Sequence, residues 1–225
     1  MTCRRTSDLF VRALFIACVA ALVAPAPAAA QSFEGVISFE ATANEITSSF
    51  DYYVKGSQVR IVVGASGRQG AAVIIDSKKN LATMLVPGSS MYMEFDLAAA
   101  ASAKGNPPAE GIVLTRTGRT DEIAGQECEE FLASSQSMKA EVWAVAGFGT
   151  FMQFDPSPKS SRPSLSLERK LAQQGLFPLR MVVRDLSGKE QSRFEAKRID
   201  ERSLDSRLFA VPTGWKKMDL NTMPK

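Results

Sequence analysis

The chain has 225 residues, of which 45% are hydrophobic and 23% charged, with 27 basic and 24 acidic side chains and no histidine. That mixture excludes a disordered chain, and the near balance of charge excludes the broad positive field that gathers nucleic acid. The missing histidine excludes His-based triads, His metal ligands and the commonest proton shuttle.

The first thirty residues read as a cleaved export signal. Arg4, Arg5 and Arg12 precede an apolar run over Ala13–Val23, Pro25 and Pro27 break it, and Ala28-Ala29-Ala30 places small residues before Gln31. This is the basic, apolar and small-residue order of a secretory signal, with cleavage expected after Ala30. The apolar run is too short to cross a bilayer core of roughly 30 Å, so no stable membrane span is expected. The expected location is the periplasm, with secretion as second choice. Cys3 and Cys18 leave with the signal and Cys128 remains as the one thiol, so no internal disulfide forms. Glu127, Glu129 and Glu130 beside it disfavour the thiolate, which predicts an inert, buried strand cysteine.

From Phe33 onward the pattern has period two. Phe33, Ile37 and Phe39 alternate with Glu34, Ser38 and Glu40, as in a half-buried strand. Residues 49–54 and 58–63 flank Lys55-Gly56-Ser57, and 72–76 and 81–86 flank Ser77–Asn80, which predicts two hairpins. Pro87-Gly88-Ser89 then turns the chain into a strand over 90–95. Residues 96–110 carry no alternation and read as a loop insert with room for one helical turn. Strands resume over 112–116, 127–133 and 141–145, with Gly118 and Ala124-Gly125 as punctuation. Phe148, Phe151 and Met152 recur at helical spacing, 155–163 is Pro- and Ser-rich loop, and 165–174 predicts a second short helix. A hairpin over 179–186 and 191–199 follows, then a helical turn at 205–209 and a closing Val211–Trp215.

About ten or eleven antiparallel strands in one domain over 31–225 must curve, close or split to avoid long exposed edges. The insert over 147–175 is long enough to lie across one face. The predicted fold is therefore mainly β, a curved antiparallel sheet with a short helical and loop cover.

No catalytic constellation accompanies it. There is no nucleophile elbow and no S-x-x-K pattern. On a strand, Glu127 and Glu129 share one face while Cys128 and Glu130 share the other, so these acids do not converge on a metal. Ion pairs with Lys139 or Arg180 are the expected use of the acidic residues. A glycosidase-like carboxylate pair assembles only in three dimensions and has no support in the spacing. Gly64–Gly70 lacks the Lys-Ser/Thr and the helix of a phosphate loop and reads as a wide hairpin loop. The sequence thus predicts no enzyme, no metal and no cofactor. What remains is apolar. Phe39, Tyr52, Met84, Met93, Phe148, Phe151, Met152 and Met181 are the candidate lining of an apolar binding groove, methionine being adaptable to varied greasy ligands.

Three stretches carry a family resemblance: Tyr52-Tyr53-Val54-Lys55-Gly56 with Arg60-Ile61; Ile123–Glu130 followed by Glu141-Val142-Trp143; and Gly175–Leu179 with Leu208–Trp215. In this order they resemble a bacterial family of exported proteins defined as a domain of unknown function. The resemblance implies a half-barrel-like sheet similar to periplasmic lipoprotein carriers, in which a helical cover encloses acyl chains, and it carries over no catalytic residue. Together the readings predict an exported envelope protein that binds a lipid, a lipoprotein or another apolar ligand in a concave groove. The alternative is a non-catalytic structural or interaction protein of the envelope whose core is filled by its own side chains.

Overall fold

The computed structural model describes residues 33–218 apart from 44, 65–69, 103–110, 137 and 153–162. The export signal, most of the glycine-rich 64–70 stretch, the second half of the 96–110 insert and the Pro/Ser-rich loop before Pro163 lie outside the described residues.

Alternating side chains with tight turns between them produce the strands β1 (Gly35–Ala43), β2 (Ile46–Lys55), β3 (Gln58–Val63), β4 (Ala72–Asp76), β5 (Leu81–Val86) and β6 (Met91–Asp96). Helix α1 (Leu97–Ser102) follows, its first turn satisfied by Asp96 Oδ1, which accepts from the Ala99 N–H at 2.9 Å. Then come β7 (Val113–Ile123), β8 (Gln126–Ser134), β9 (Lys139–Ala146), α2 (Pro163–Gln173), β10 (Leu176–Arg184), β11 (Glu190–Glu201) and the two-residue β12 (Lys216–Lys217). Among the described residues these form one 12-stranded open sheet in the order β12-β6-β5-β4-β3-β2-β1-β11-β10-β9-β8-β7. Every neighbouring pair is antiparallel except β12, which runs parallel to β6. β1 is the keystone: it pairs with β2 on one side and β11 on the other, joining two meanders. The sheet coils strongly, since Arg180 of β10 reaches Asp121 of β7 at 2.7 Å across the positions of β9 and β8.

Three boundaries differ from the sequence reading. Gly118 does not end a strand at Arg116: with φ 80° it sits in a bulge between Arg116 and Thr120, so β7 bends and runs on to Ile123. β10 starts at Leu176 and carries Pro178 inside it, at a register shift before Arg180, where a missing N–H is tolerated. Phe148, Phe151 and Met152 are not on a helix. Gly147 and Gly149 both have positive φ, 87° and 84°, so the chain winds irregularly while still delivering side chains inward.

Each face of the sheet is covered over part of its strands. On the inner face Phe33, Ile37, Phe39, Tyr52, Phe177, Leu179 and Phe194 pack beneath Phe148, Phe151 and the Leu167 and Leu171 of α2. On the outer face Val36, Ala72, Ile74 and Leu85 pack beneath Leu204 and Phe209, with Val211 and Trp215 alongside. The C-terminal segment is stapled there by Lys55, whose Nζ donates to Glu34 Oε1 at 2.6 Å and to the Leu204 carbonyl at 2.7 Å. Arg60 Nη1 donates to the Leu208 carbonyl at 2.8 Å.

Candidate functional site

The inner face is built from rows of side chains set by strand register. One row runs Ile37–Tyr52–Ile61–Val73–Met84–Met93 across β1 to β6. Its two ends differ. Ile37 and Tyr52 are fully buried, whereas Ile61, Val73, Met84 and Met93 are half-buried.

The buried end is an aromatic cluster. Phe151 stacks on Tyr52 with ring centroids 5.5 Å apart and on Phe194 at 5.3 Å, and meets Phe177 edge-on at 5.2 Å. Phe39 stacks on Phe50 at 5.1 Å and meets Phe194 edge-on at 5.6 Å. Phe148 stacks on Phe33 at 4.3 Å. Tyr52 also fixes the covering segment: its hydroxyl accepts from the Met152 N–H at 2.8 Å and donates to the Met152 carbonyl at 3.2 Å. Burial raises the pKa of this hydroxyl, so it stays protonated and keeps both bonds.

The eight sequence-predicted lining residues therefore fall into two groups. Phe39, Tyr52, Phe148, Phe151 and Met181 are buried and belong to one core, with Met152 partly buried against it. Met84 and Met93 stand apart from these and face each other across β5 and β6, half-exposed. The structure adds Ile61 and Val73 beside them. Their signal in the sequence was period two on β3 and β4, which marks an apolar face without showing that β5 and β6 continue it.

The polar groups are arranged for ion pairing. Arg180 donates to Asp121 at 2.7 Å and to Glu195 at 3.0 Å, with its guanidinium 5.9 Å from the Trp143 ring centre. The bond from Arg180 holds the Asp121 carboxyl below its ordinary range. Arg184 pairs with Glu141 at 2.6 Å, and these two line a cavity of about 370 Å³ together with Arg180, Trp143 and Glu195. Glu130 is buried and accepts from Arg119 Nε at 2.6 Å and Thr117 Oγ1 at 2.6 Å. Asp121 faces Cys128 across the β7–β8 pair. Burial pushes that thiol up to about 11, with Asp121 adding to the effect and Arg180 opposing it; the flanking glutamates are not the cause. Among the described residues no group of three His, Cys, Asp or Glu side chains is placed to hold a metal ion. No helix among them is long and apolar enough to cross a membrane.

A family model described as a domain of unknown function, DUF4412, matches residues 33–215, which takes in all three stretches singled out in the sequence. The chain belongs to the DUF4412 family. No curated protein matches it. Among solved structures, this DUF4412 chain is similar to an uncharacterised conserved protein from Thermus thermophilus, at 11% identity and TM-score 0.50, covering 82% of this chain and 90% of that one. It is also similar to the structure of the Pseudomonas aeruginosa MucA/MucB complex, at 11% identity and TM-score 0.48, covering 80% of this chain and 56% of that one. A putative outer membrane lipoprotein-sorting protein domain from Vibrio parahaemolyticus aligns at 7% identity and TM-score 0.33, covering 80% and 89%. Likeness at such identities concerns the fold alone.

Proposed function

We propose that this DUF4412 protein is an exported envelope protein that binds an apolar ligand, of lipid or lipoprotein type, along the inner face of its sheet. The observation that carries the reading is the half-buried apolar row Ile61–Val73–Met84–Met93, continuous with a filled aromatic core. Water against such a row is displaced favourably by an acyl chain, at about 25 cal/mol per Å² of apolar surface covered. Methionine side chains on β5 and β6 adapt to chains of varied shape. The buried aromatic residues act as the wall and floor that hold the row in place. The periplasm is the compartment of this reading, resting on the basic, apolar and small-residue order of residues 1–30.

In this reading the protein is a binder and not an enzyme. Support comes from the commitment of five carboxylates to ion pairs: Asp121 and Glu195 to Arg180, Glu130 to Arg119, Glu141 to Arg184 and Glu34 to Lys55.

The test is displacement of a fluorescent fatty-acid probe, together with native mass spectrometry of protein purified from the envelope. Met84→Glu places a charge in the row at a half-exposed position. Probe affinity is expected to fall at least about tenfold with the fold retained, because a charge facing an acyl chain must be desolvated. Wild-type protein that binds no apolar probe and carries no lipid mass sinks the proposal and favours a filled-core interaction protein.

A further inference from the structure

Among the described residues, five large hydrophobic side chains are exposed: Ile46 at 72%, Val113 at 61%, Leu186 at 59%, Val63 at 51% and Leu132 at 42%. Strand direction places all five at one end of the sheet. Ile46 opens β2, Val63 closes β3, Val113 opens β7, Leu132 lies near the end of β8 opposite Thr115, and Leu186 tips the β10–β11 turn. The other end is made by the Lys55–Gln58, Asp76–Leu81 and Ile123–Gln126 turns. It displays exposed Lys78, Lys79, Glu122 and Glu127 and no exposed large hydrophobic residue among those described.

The five residues are spread over eight neighbouring strands from β3 to β7 of the coiled sheet, with Ile46 and Val63 on its inner face and Val113 and Leu132 on its outer face. A string of separate tips makes poor ground for a compact protein interface, which needs a clustered, fully desolvated centre. A fluid bilayer surface needs no such cluster, since each tip enters the headgroup boundary independently. Among the described residues, charge at this end is balanced. Arg184 pairs with Glu141 and Arg193 with Glu190, and exposed Lys139 and Lys189 are offset by Glu45 and by Asp185, which is bonded by its own turn. Such a rim complements a zwitterionic headgroup layer, not a strongly anionic one.

We infer that this end of the sheet docks transiently on a zwitterionic lipid surface, driven by its apolar tips. Ile61, Val73, Met84 and Met93 lie one or two residues in from the same end, roughly 3–7 Å along the strands. Docking there sets the half-buried row next to the acyl region. The inference deepens the apolar-ligand reading by naming the source of the ligand, yet it stands on different side chains.

The experiment is flotation of the signal-free protein with phosphatidylcholine vesicles, with and without added phosphatidylglycerol and across salt concentrations. Wild-type protein is expected to float, with partitioning that changes less than about twofold with anionic lipid or salt, because the charges of the rim's described residues balance. Ile46→Ser combined with Leu186→Ser is expected to weaken partitioning roughly tenfold, and Val113→Ser with Leu132→Ser similarly. All four positions are exposed, and circular dichroism checks that the fold survives. Replacing Lys78 and Lys79 at the opposite end is expected to change nothing. Wild-type protein that stays in the aqueous phase overturns the inference, as does flotation unaffected by both double variants. Flotation that appears only with phosphatidylglycerol and vanishes with salt also overturns it. So does sedimentation showing a dimer that the same substitutions dissociate, since the occupant is then a second copy. Probe binding by protein that does not float removes this inference alone and leaves the groove reading standing.

Discussion

Phe151→Ala probes whether the irregular segment over the inner face is packed core or a movable cover. Phe151 is 3% exposed and touches four aromatic rings, stacked on Tyr52 and Phe194 and edge-on to Phe39 and Phe177. Truncation leaves a void bounded by rings that are themselves anchored on β1, β2, β10 and β11. The neighbouring backbone cannot settle into it, because the Tyr52 hydroxyl holds Met152 by two hydrogen bonds. The expected cost is about 3–5 kcal/mol, the range for an aromatic deletion in a core that collapses poorly. At about 2–4 °C per kcal/mol for a domain of this size, the melting temperature falls by roughly 6–20 °C. In urea the midpoint drops while the slope stays constant, since the surface exposed on unfolding barely changes. Met84→Ala, at a half-exposed position of the same face, is expected to cost about 1 kcal/mol. A Phe151→Ala loss below about 1.5 kcal/mol, combined with a change in apolar-probe affinity, refutes the packed-core assignment and makes the segment a lid.

Tyr52→Phe keeps the ring contacts but strands the Met152 N–H and carbonyl, with an expected loss of about 1–3 kcal/mol in urea melts. A variant as stable as wild type shows that the two hydrogen bonds do not hold the segment. The Glu34 carboxyl is held below its ordinary range, first by the Leu204 N–H and then by Lys55, so its contribution is complete above the unfolded value near about 4.3 and is lost as pH falls through the folded value. Trp215 fluorescence in a Trp143→Phe background is expected to report acid loosening of the C-terminal segment, and a Glu34→Gln curve superimposable on it argues against the staple. Cys128, buried with its thiol pushed up to about 11, is expected to react slowly with maleimide in the folded state and quickly in urea; stoichiometric labelling of native protein within minutes contradicts that.

Most strands were legible from the sequence because their cause is local. Alternation over 33–42 and 49–63, with Lys55-Gly56-Ser57 between, specifies strand, turn and strand through neighbours a few residues apart, and β1 to β3 occupy those places. The burial of Cys128 on its strand was legible too, though the adjacent glutamates are not what raises its thiol pKa: burial does. Local reading failed where two backbones present the same side chains. Phe148 and Phe151 are three apart and point inward, and a helix does this as well as the glycine-bent chain that forms. Lys55 was read only as half of a turn, since its partners Glu34 and Leu204 are distant in sequence.

The tertiary structure alone decided that β1 joins two meanders by pairing with β11, which follows it by most of the length of the chain, and that β7 coils back until Asp121 meets Arg180. It also decided which members of one apolar row are sealed and which are left half-open, and it gathered five exposed hydrophobic tips at one end. Composition and periodicity mark a side chain as apolar and assign it a face, because those depend on the residue and its chain neighbours. Whether that face is covered depends on which distant surfaces the fold brings against it, and chain neighbours carry no record of that.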